Sequence, residues 1–147
     1  MNTLDYKKFL DIVLNIGKEM LICGAEISRV EDTITRICKA YSADEVNVFT
    51  ITSSIVITIK ANKDIYTQTK RILNYETNLD RLDRLNKLSR EICSTHPPLE
   101  HIENSYNEIL KSKTHSFLTL CCIYALIAFT LTIYYGGNIS DGIVSSI

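Results

Sequence analysis

The 147 residues, 46 % of them hydrophobic, suffice for a packed core, and 16 Lys+Arg against 17 Asp+Glu leave a net charge of -1. With no basic block the chain lacks the electrostatic footprint of a nucleic-acid binder, and aliphatic residues recurring throughout exclude intrinsic disorder. The charges are unevenly placed: residues 1–116 hold 32 of the 33, and residues 117–147 hold only Asp141.

The N-terminal MNTLDYKKFLDIV is charged and lacks the apolar centre of a secretory signal. Phe9, Ile12, Val13, Ile16, Met20 and Cys23 recur three and four apart, which predicts an amphipathic helix over residues 4–22. Gly24 interrupts the stripe as a cap or a kink. Ile27, Val30, Ile34, Ile37 and Tyr41 then resume it, so two helices or one bent helix cover residues 4–41.

The period changes to two in EVNVFTITSSIVITIK, where Ile55, Ile57 and Ile59 alternate with Val56 and Thr58. Thr52-Ser53-Ser54 and Asn62-Lys63-Asp64 are turn signals, and IYTQTKRIL reads as a third strand. Short connections make a three-stranded antiparallel meander the simplest arrangement. Asn78 suits the cap of a further helix with Leu79, Leu82, Leu85, Leu88 and Ile92 as its stripe. Asp80 with Arg84 and Asp83 with Lys87 form i,i+4 pairs on its outer face. Pro97-Pro98 separate it from a helix carrying Leu99, Ile102, Tyr106 and Ile109. The soluble part is thus α+β, in the order ααβββαα.

FLTLCCIYALIAFTLTIYY, residues 117–135, contains no charge over 19 residues. As a helix it extends about 28 Å, close to the hydrocarbon thickness of a bilayer. Lys111 and Lys113 precede it, His115 stands at its entrance, and no Lys or Arg follows. The positive-inside rule then places residues 1–113 in the cytoplasm. Residues 114–147 form a second region, with the run as a first transmembrane helix and the start of another apolar stretch after it. The chain therefore reads as the front part of a longer membrane protein.

Glu26, Arg29, Thr33 and Arg36 line one helix face, with Glu31 and Asp32 beside it. A carboxylate between arginines can orient a small charged substrate or a partner segment, or the face is merely solvated. Arg29 is expected to pack against the sheet edge or another subunit. The five cysteines, Cys23, Cys38, Cys93, Cys121 and Cys122, lack a Cys-x-x-Cys and read as free thiols rather than disulfides or zinc ligands. His96 and His101 bracket Glu100, but Pro97-Pro98 make this a helix start rather than a metal-ligand face. Neither a nucleophile elbow, a phosphate loop nor a dinucleotide fingerprint is present. The reading is of a non-enzyme, without metal or cofactor.

GAEISRVEDTITRICKAY resembles the signature that opens the cytoplasmic domain of the threonine/serine exporter family. VNVFTITSSIVITI, Arg71-Ile72, NLDRLDRLNKLSREI and the Tyr-Gly-Gly before Asp141 are similar as well, so the likeness runs from about Phe9 to Ile143. Ser42 stands where the family usually has glycine, Ser28 where threonine or tyrosine is commoner, and Thr52-Ser53-Ser54 lacks the usual proline and glycine.

The resemblance implies export of a small hydroxy-amino acid across a bacterial inner membrane by a multi-pass protein. It also implies further spans, self-association or a partner membrane subunit. The positions matching the signature are Glu26, Arg29, Glu31, Asp32, Arg36, Arg71, Asn78 and Asp80, as substrate-binding or gating residues or as residues that hold the domain together. Other readings are a small-dicarboxylate exporter subunit, a membrane-anchored interaction or dimerisation module, and a hydrolase-like domain with Glu26 or Asp32 as base.

Overall fold

A computed structural model describes residues 5–112 and 117–145; Lys113 and His115, expected at the entrance of the apolar run, lie outside the described residues. The chain divides into two compact units, Met1–Ser112 and Lys113–Ile147.

Helix α1 (Tyr6–Ile22) starts where the Asp5 carboxylate accepts from the backbone N–H of Lys7 and Lys8, at 3.0 and 3.2 Å. Its apolar stripe from Phe9 to Met20 is buried. Gly24, at φ +96°, ends the helix: its N–H donates to Leu21 O at 3.0 Å and the Ala25 N–H to Met20 O at 2.9 Å. This is the Schellman pattern, so Gly24 caps rather than kinks, and α2 (Ile27–Ala40) is a separate helix. The same pattern closes α2, with Ser42 N–H donating to Lys39 O and Ala43 N–H to Cys38 O. Gly17 allows the two helices to approach, since a Cβ there would lie 2.7 Å from Ile34 Cδ1.

Strands β1 (Glu45–Ile51), β2 (Ser54–Ala61) and β3 (Asp64–Arg71) form an antiparallel sheet in the order β1-β2-β3. Phe49 pairs with Val56 and Val56 with Thr69, which fixes one register across all three strands. Ile55, Ile57 and Ile59 are fully buried on the inner face, while Phe49 and Ile65 are exposed. Asn62 and Lys63, both at positive φ, make the two-residue turn between β2 and β3.

Helix α3 (Leu79–Thr95) is capped by Asn78, whose side-chain oxygen accepts from Arg81 N–H at 3.0 Å. Leu85, Leu88 and Ile92 are buried, but Leu79 is 68 % exposed and does not belong to the stripe. The face turned inward runs through residue 81, and Leu79, two residues earlier, points about 200° away from it. Helix α4 (Leu99–Lys111) buries Ile102. The core sits around α1, which contacts β2, β3, α2, α3 and α4.

The second unit pairs α5 (Phe117–Tyr134) with α6 (Ile139–Ser145). Gly142 packs on Phe129 so closely that a Cβ would lie 2.8 Å from the ring, and the Thr132 and Ser145 hydroxyls bond at 2.8 Å. Leu118, Ile123, Leu126, Ile127, Leu131 and Ile133 are exposed on α5. Among the described residues no helix is long and apolar enough to cross a membrane. The side chains of Phe117 and Leu120, which belong to the uncharged run, lie outside that description.

Candidate functional site

The eight signature positions separate in space by role. Asn78 caps α3, and Asp80 in the first turn pairs with Arg84 at 2.9 Å on an exposed surface. Arg71 ends β3 and is exposed. Glu26 is the N-cap residue of α2 by position, yet its side chain makes no capping hydrogen bond. Glu31 Oε1 accepts from the backbone N–H of Thr50 at 2.8 Å and so fastens α2 to β1. The expected contact with the sheet edge is therefore made by Glu31, not by Arg29, which is exposed. Arg29 and Glu31 are two residues apart and so project to opposite sides of the helix.

Arg29, Asp32 and Arg36 come together with α3 around a cleft. Its larger part, about 210 Å3, is lined by Thr33, Arg36, Ser89, Arg90, Cys93 and Ser94. An adjoining hollow of about 160 Å3 adds Arg29, Asp32 and Asn86. Arg36 is held by Asp32 one turn earlier, with Nε 3.1 Å from Oδ1. Three guanidinium groups thus stand against one carboxylate, beside the hydroxyls of Thr33, Ser89 and Ser94. Burial pushes the Cys93 thiol up, and Arg36 pulls it back in part. Such a cleft suits a small anion, because a planar guanidinium can take both oxygens of a carboxylate.

Asn86, Ser89 and Arg90 were not among the positions singled out on the sequence, and Cys93 was read only as a free thiol. Their spacing was visible: they recur at i, i+3, i+4 and i+7, the pattern of one helix face. Ser89 sits beside Leu88 and is 7 % exposed, a polar residue inside an otherwise leucine-rich stripe.

A second cluster joins α1 to the entrance of α3. Arg81 Nη1 donates to Glu19 Oε1 at 2.8 Å and to Glu76 Oε1 at 2.7 Å. Glu19, Cys23 and Glu76 each place a ligand-type atom within 4.8 Å of the others. These residues do not fit a cation: the guanidinium already takes both carboxylates, and burial pushes the Cys23 thiol up to about 11. The cluster is a structural clamp.

The chain thus combines an α+β domain, bearing a basic cleft between two helices, with a helical pair whose longer member presents exposed apolar residues. This is the organisation of a membrane-associated protein with a folded polar domain. The sequence matches the family described as "Putative threonine/serine exporter" over residues 11–147, and the chain belongs to that family of transporters. No curated protein and no solved structure matches it.

Proposed function

We propose that the chain forms the cytoplasmic domain and first membrane helix of an inner-membrane exporter of small hydroxy-amino acids. The observation that carries this reading is the family match over residues 11–147. The membrane assignment is supported by the uncharged run of residues 117–135, with Lys111 and Lys113 just before it and no Lys or Arg in residues 136–147. On this reading α5 spans the bilayer, residues 1–113 face the cytoplasm and α6 begins the return toward it.

A single helix has no second wall and cannot enclose a polar path through hydrocarbon. Substrate sites of transporters lie between several helices near the midplane. The path here therefore draws on further spans, on self-association or on a partner subunit. Arg29, Asp32 and Arg36 are the signature residues we assign to substrate handling. Glu31 and Asn78 serve to position α2 and α3, while Glu26, Arg71 and Asp80 remain surface positions available for gating contacts.

The reading is tested in a bacterial host stripped of its own exporters and challenged with a threonine-containing dipeptide. The gene product carrying these residues, expressed with all spans and subunits encoded beside it, should restore growth and lower internal threonine. Equal threonine accumulation with and without that expression would overturn the exporter assignment. Topology is read separately: in a chain otherwise free of cysteine, a cysteine at Thr3 should resist a membrane-impermeant maleimide in intact cells, and one at Asn138 should react.

A further inference from the structure

We propose that the cleft between α2 and α3 is a binding site for a free α-amino acid on the polar domain, separate from any membrane path. The choice of amino-acid probes rests on the exporter reading; the chemistry of the site rests on the cleft itself.

Among the described residues, Arg36 has its carboxylate partner in Asp32, but neither Arg29 nor Arg90 has a carboxylate within ion-pair distance. Both line a concave surface rather than a convex helix face, where a bound anion exchanges less solvent than on open surface. Ser89 donates its hydroxyl to Asn86 O at 2.9 Å and Ser94 donates to Glu91 O at 3.1 Å, so both oxygens keep their lone pairs as acceptors. Acceptors and the Asp32 carboxylate beside arginines match a zwitterion: the guanidinium groups take the carboxylate, and Asp32 with the hydroxyls takes the ammonium. A dicarboxylate would set its second charge against Asp32, and phosphate would leave the acceptors unused.

The two hollows, about 210 and about 160 Å3, are each smaller than the roughly 300–1,000 Å3 of pockets for drug-sized ligands and suit a metabolite of a few non-hydrogen atoms.

Cys93 lines the cleft and supplies its own reporter. Cys23 and Cys38 are buried, so replacing Cys121 and Cys122 with serine leaves Cys93 as the half-buried thiol among the described residues. In the whole chain, held in detergent micelles at constant ionic strength, alkylation of Cys93 by N-ethylmaleimide is followed with L-threonine, L-serine, succinate or inorganic phosphate present.

Labelling tracks the unliganded fraction, so threonine at ten times its Kd should slow it about tenfold. Arg29→Gln combined with Arg90→Gln should abolish the protection, while Lys87→Gln on the solvent face of α3 should keep it. Protection by succinate or phosphate without threonine or serine, protection unchanged in the double variant, or no protection by any of the four would each overturn the proposal. Circular dichroism of the double variant separates lost binding from lost folding, and Arg90→Lys provides a milder change that should weaken protection without removing it. Absence of threonine protection in a protein that restores export would overturn the site and leave the exporter reading; protection in a protein that exports nothing would do the reverse.

Discussion

Arg81, near the start of α3, and Glu19, near the end of α1, form an ion pair 2.8 Å long across 62 residues of sequence, with side chains 18 % and 12 % exposed. Glu76 joins from the linker, and the backbone N–H of Glu76 donates to Ile22 O at 2.8 Å, so the end of α1, the linker and α3 are tied at one point. Burial, the largest single influence, would lower the Arg81 pKa; the hydrogen bond to Glu19 together with the charges of Glu19 and Glu76 outweighs it, and the guanidinium stays charged.

Removing Arg81 strands the nearly buried Glu19 carboxylate, so Arg81→Met is expected to cost about 3–5 kcal/mol; Glu19→Met should cost less, because Glu76 still pairs with Arg81. Replacing both should cost less than Arg81→Met alone. Urea titrations of the parent, the two single variants and the double variant check this, and additive losses in the double variant would contradict a coupled pair.

Ser42 and Lys63 adopt left-handed backbone at φ 63° and 69°. An L side chain there costs about 1–2 kcal/mol relative to glycine. Ser42→Gly should therefore raise stability by about 0.5–1 kcal/mol, with the Schellman hydrogen bonds at the end of α2 unchanged. Lys63→Gly converts the β2–β3 turn to Asn-Gly, the preferred pair for this hairpin, with a gain of similar size. Thermal melts measure both, and a loss of stability at either site would contradict the assigned backbone conformations.

Stability should also fall at alkaline pH. Burial pushes the Cys38 thiol and the Tyr106 hydroxyl each up to about 12, from ordinary values of 9.0 and 10.0. Both groups hold their protons more tightly in the folded chain than in the unfolded one. Their contribution is complete below pH 9 and is lost as pH rises from there toward 12. The midpoint of urea unfolding should hold steady between pH 7 and 8.5 and drop beyond it. Cys38→Ala should flatten the first part of that decline, at the separate cost of a small cavity.

The periodicities carried most of this fold. Apolar residues at three and four, then at two, placed the four helices and three strands of the first unit, because burial on one face needs only local spacing. Leu79 misled because it continued the leucine interval while Arg81 set the facing side of α3. The site was half legible. Arg29, Thr33 and Arg36 share one helix face, which spacing reveals; Asp32, read from the sequence as lying beside that face, lines the same hollow in the structure. Arg90 approaches them only after α2 and α3 pack, and no local pattern encodes that meeting. Glu19 with Arg81 escaped for the same reason. Glu31 escaped for another: its partner is a backbone N–H, which has no signature in sequence. Ser42 was visible as a departure from glycine, and its positive φ supplies the physical reason that glycine is preferred there.

On α2 the residue that serves folding and the residues that serve function are different. Glu31 sits half-buried, and its carboxylate is the hydrogen-bond partner of Thr50 N–H, on a strand residue only 6 % exposed. The Thr50 hydroxyl already lacks a partner among the described residues, so the backbone N–H has little alternative nearby. Glu31→Ala should cost about 1–3 kcal/mol, the penalty of leaving a buried donor unsatisfied. Glu31→Gln retains an acceptor oxygen of the same reach and should recover most of that loss. Glu26 and Arg29, both exposed, should each change stability by no more than about 0.5 kcal/mol on replacement with alanine. Arg36→Ala removes only an exposed i,i+4 pair with Asp32, worth about 0.3–0.5 kcal/mol. If the face were a structural interface throughout, all four alanine variants would melt early together. If it is a site held by one anchor, Glu31→Ala alone should melt early, while Arg29→Ala and Arg36→Ala should keep their melting temperatures and lose threonine protection of Cys93. Melting curves and labelling rates on the same preparations decide between the two, and a destabilised Arg29→Ala with a stable Glu31→Ala would reverse the assignment of anchor and site.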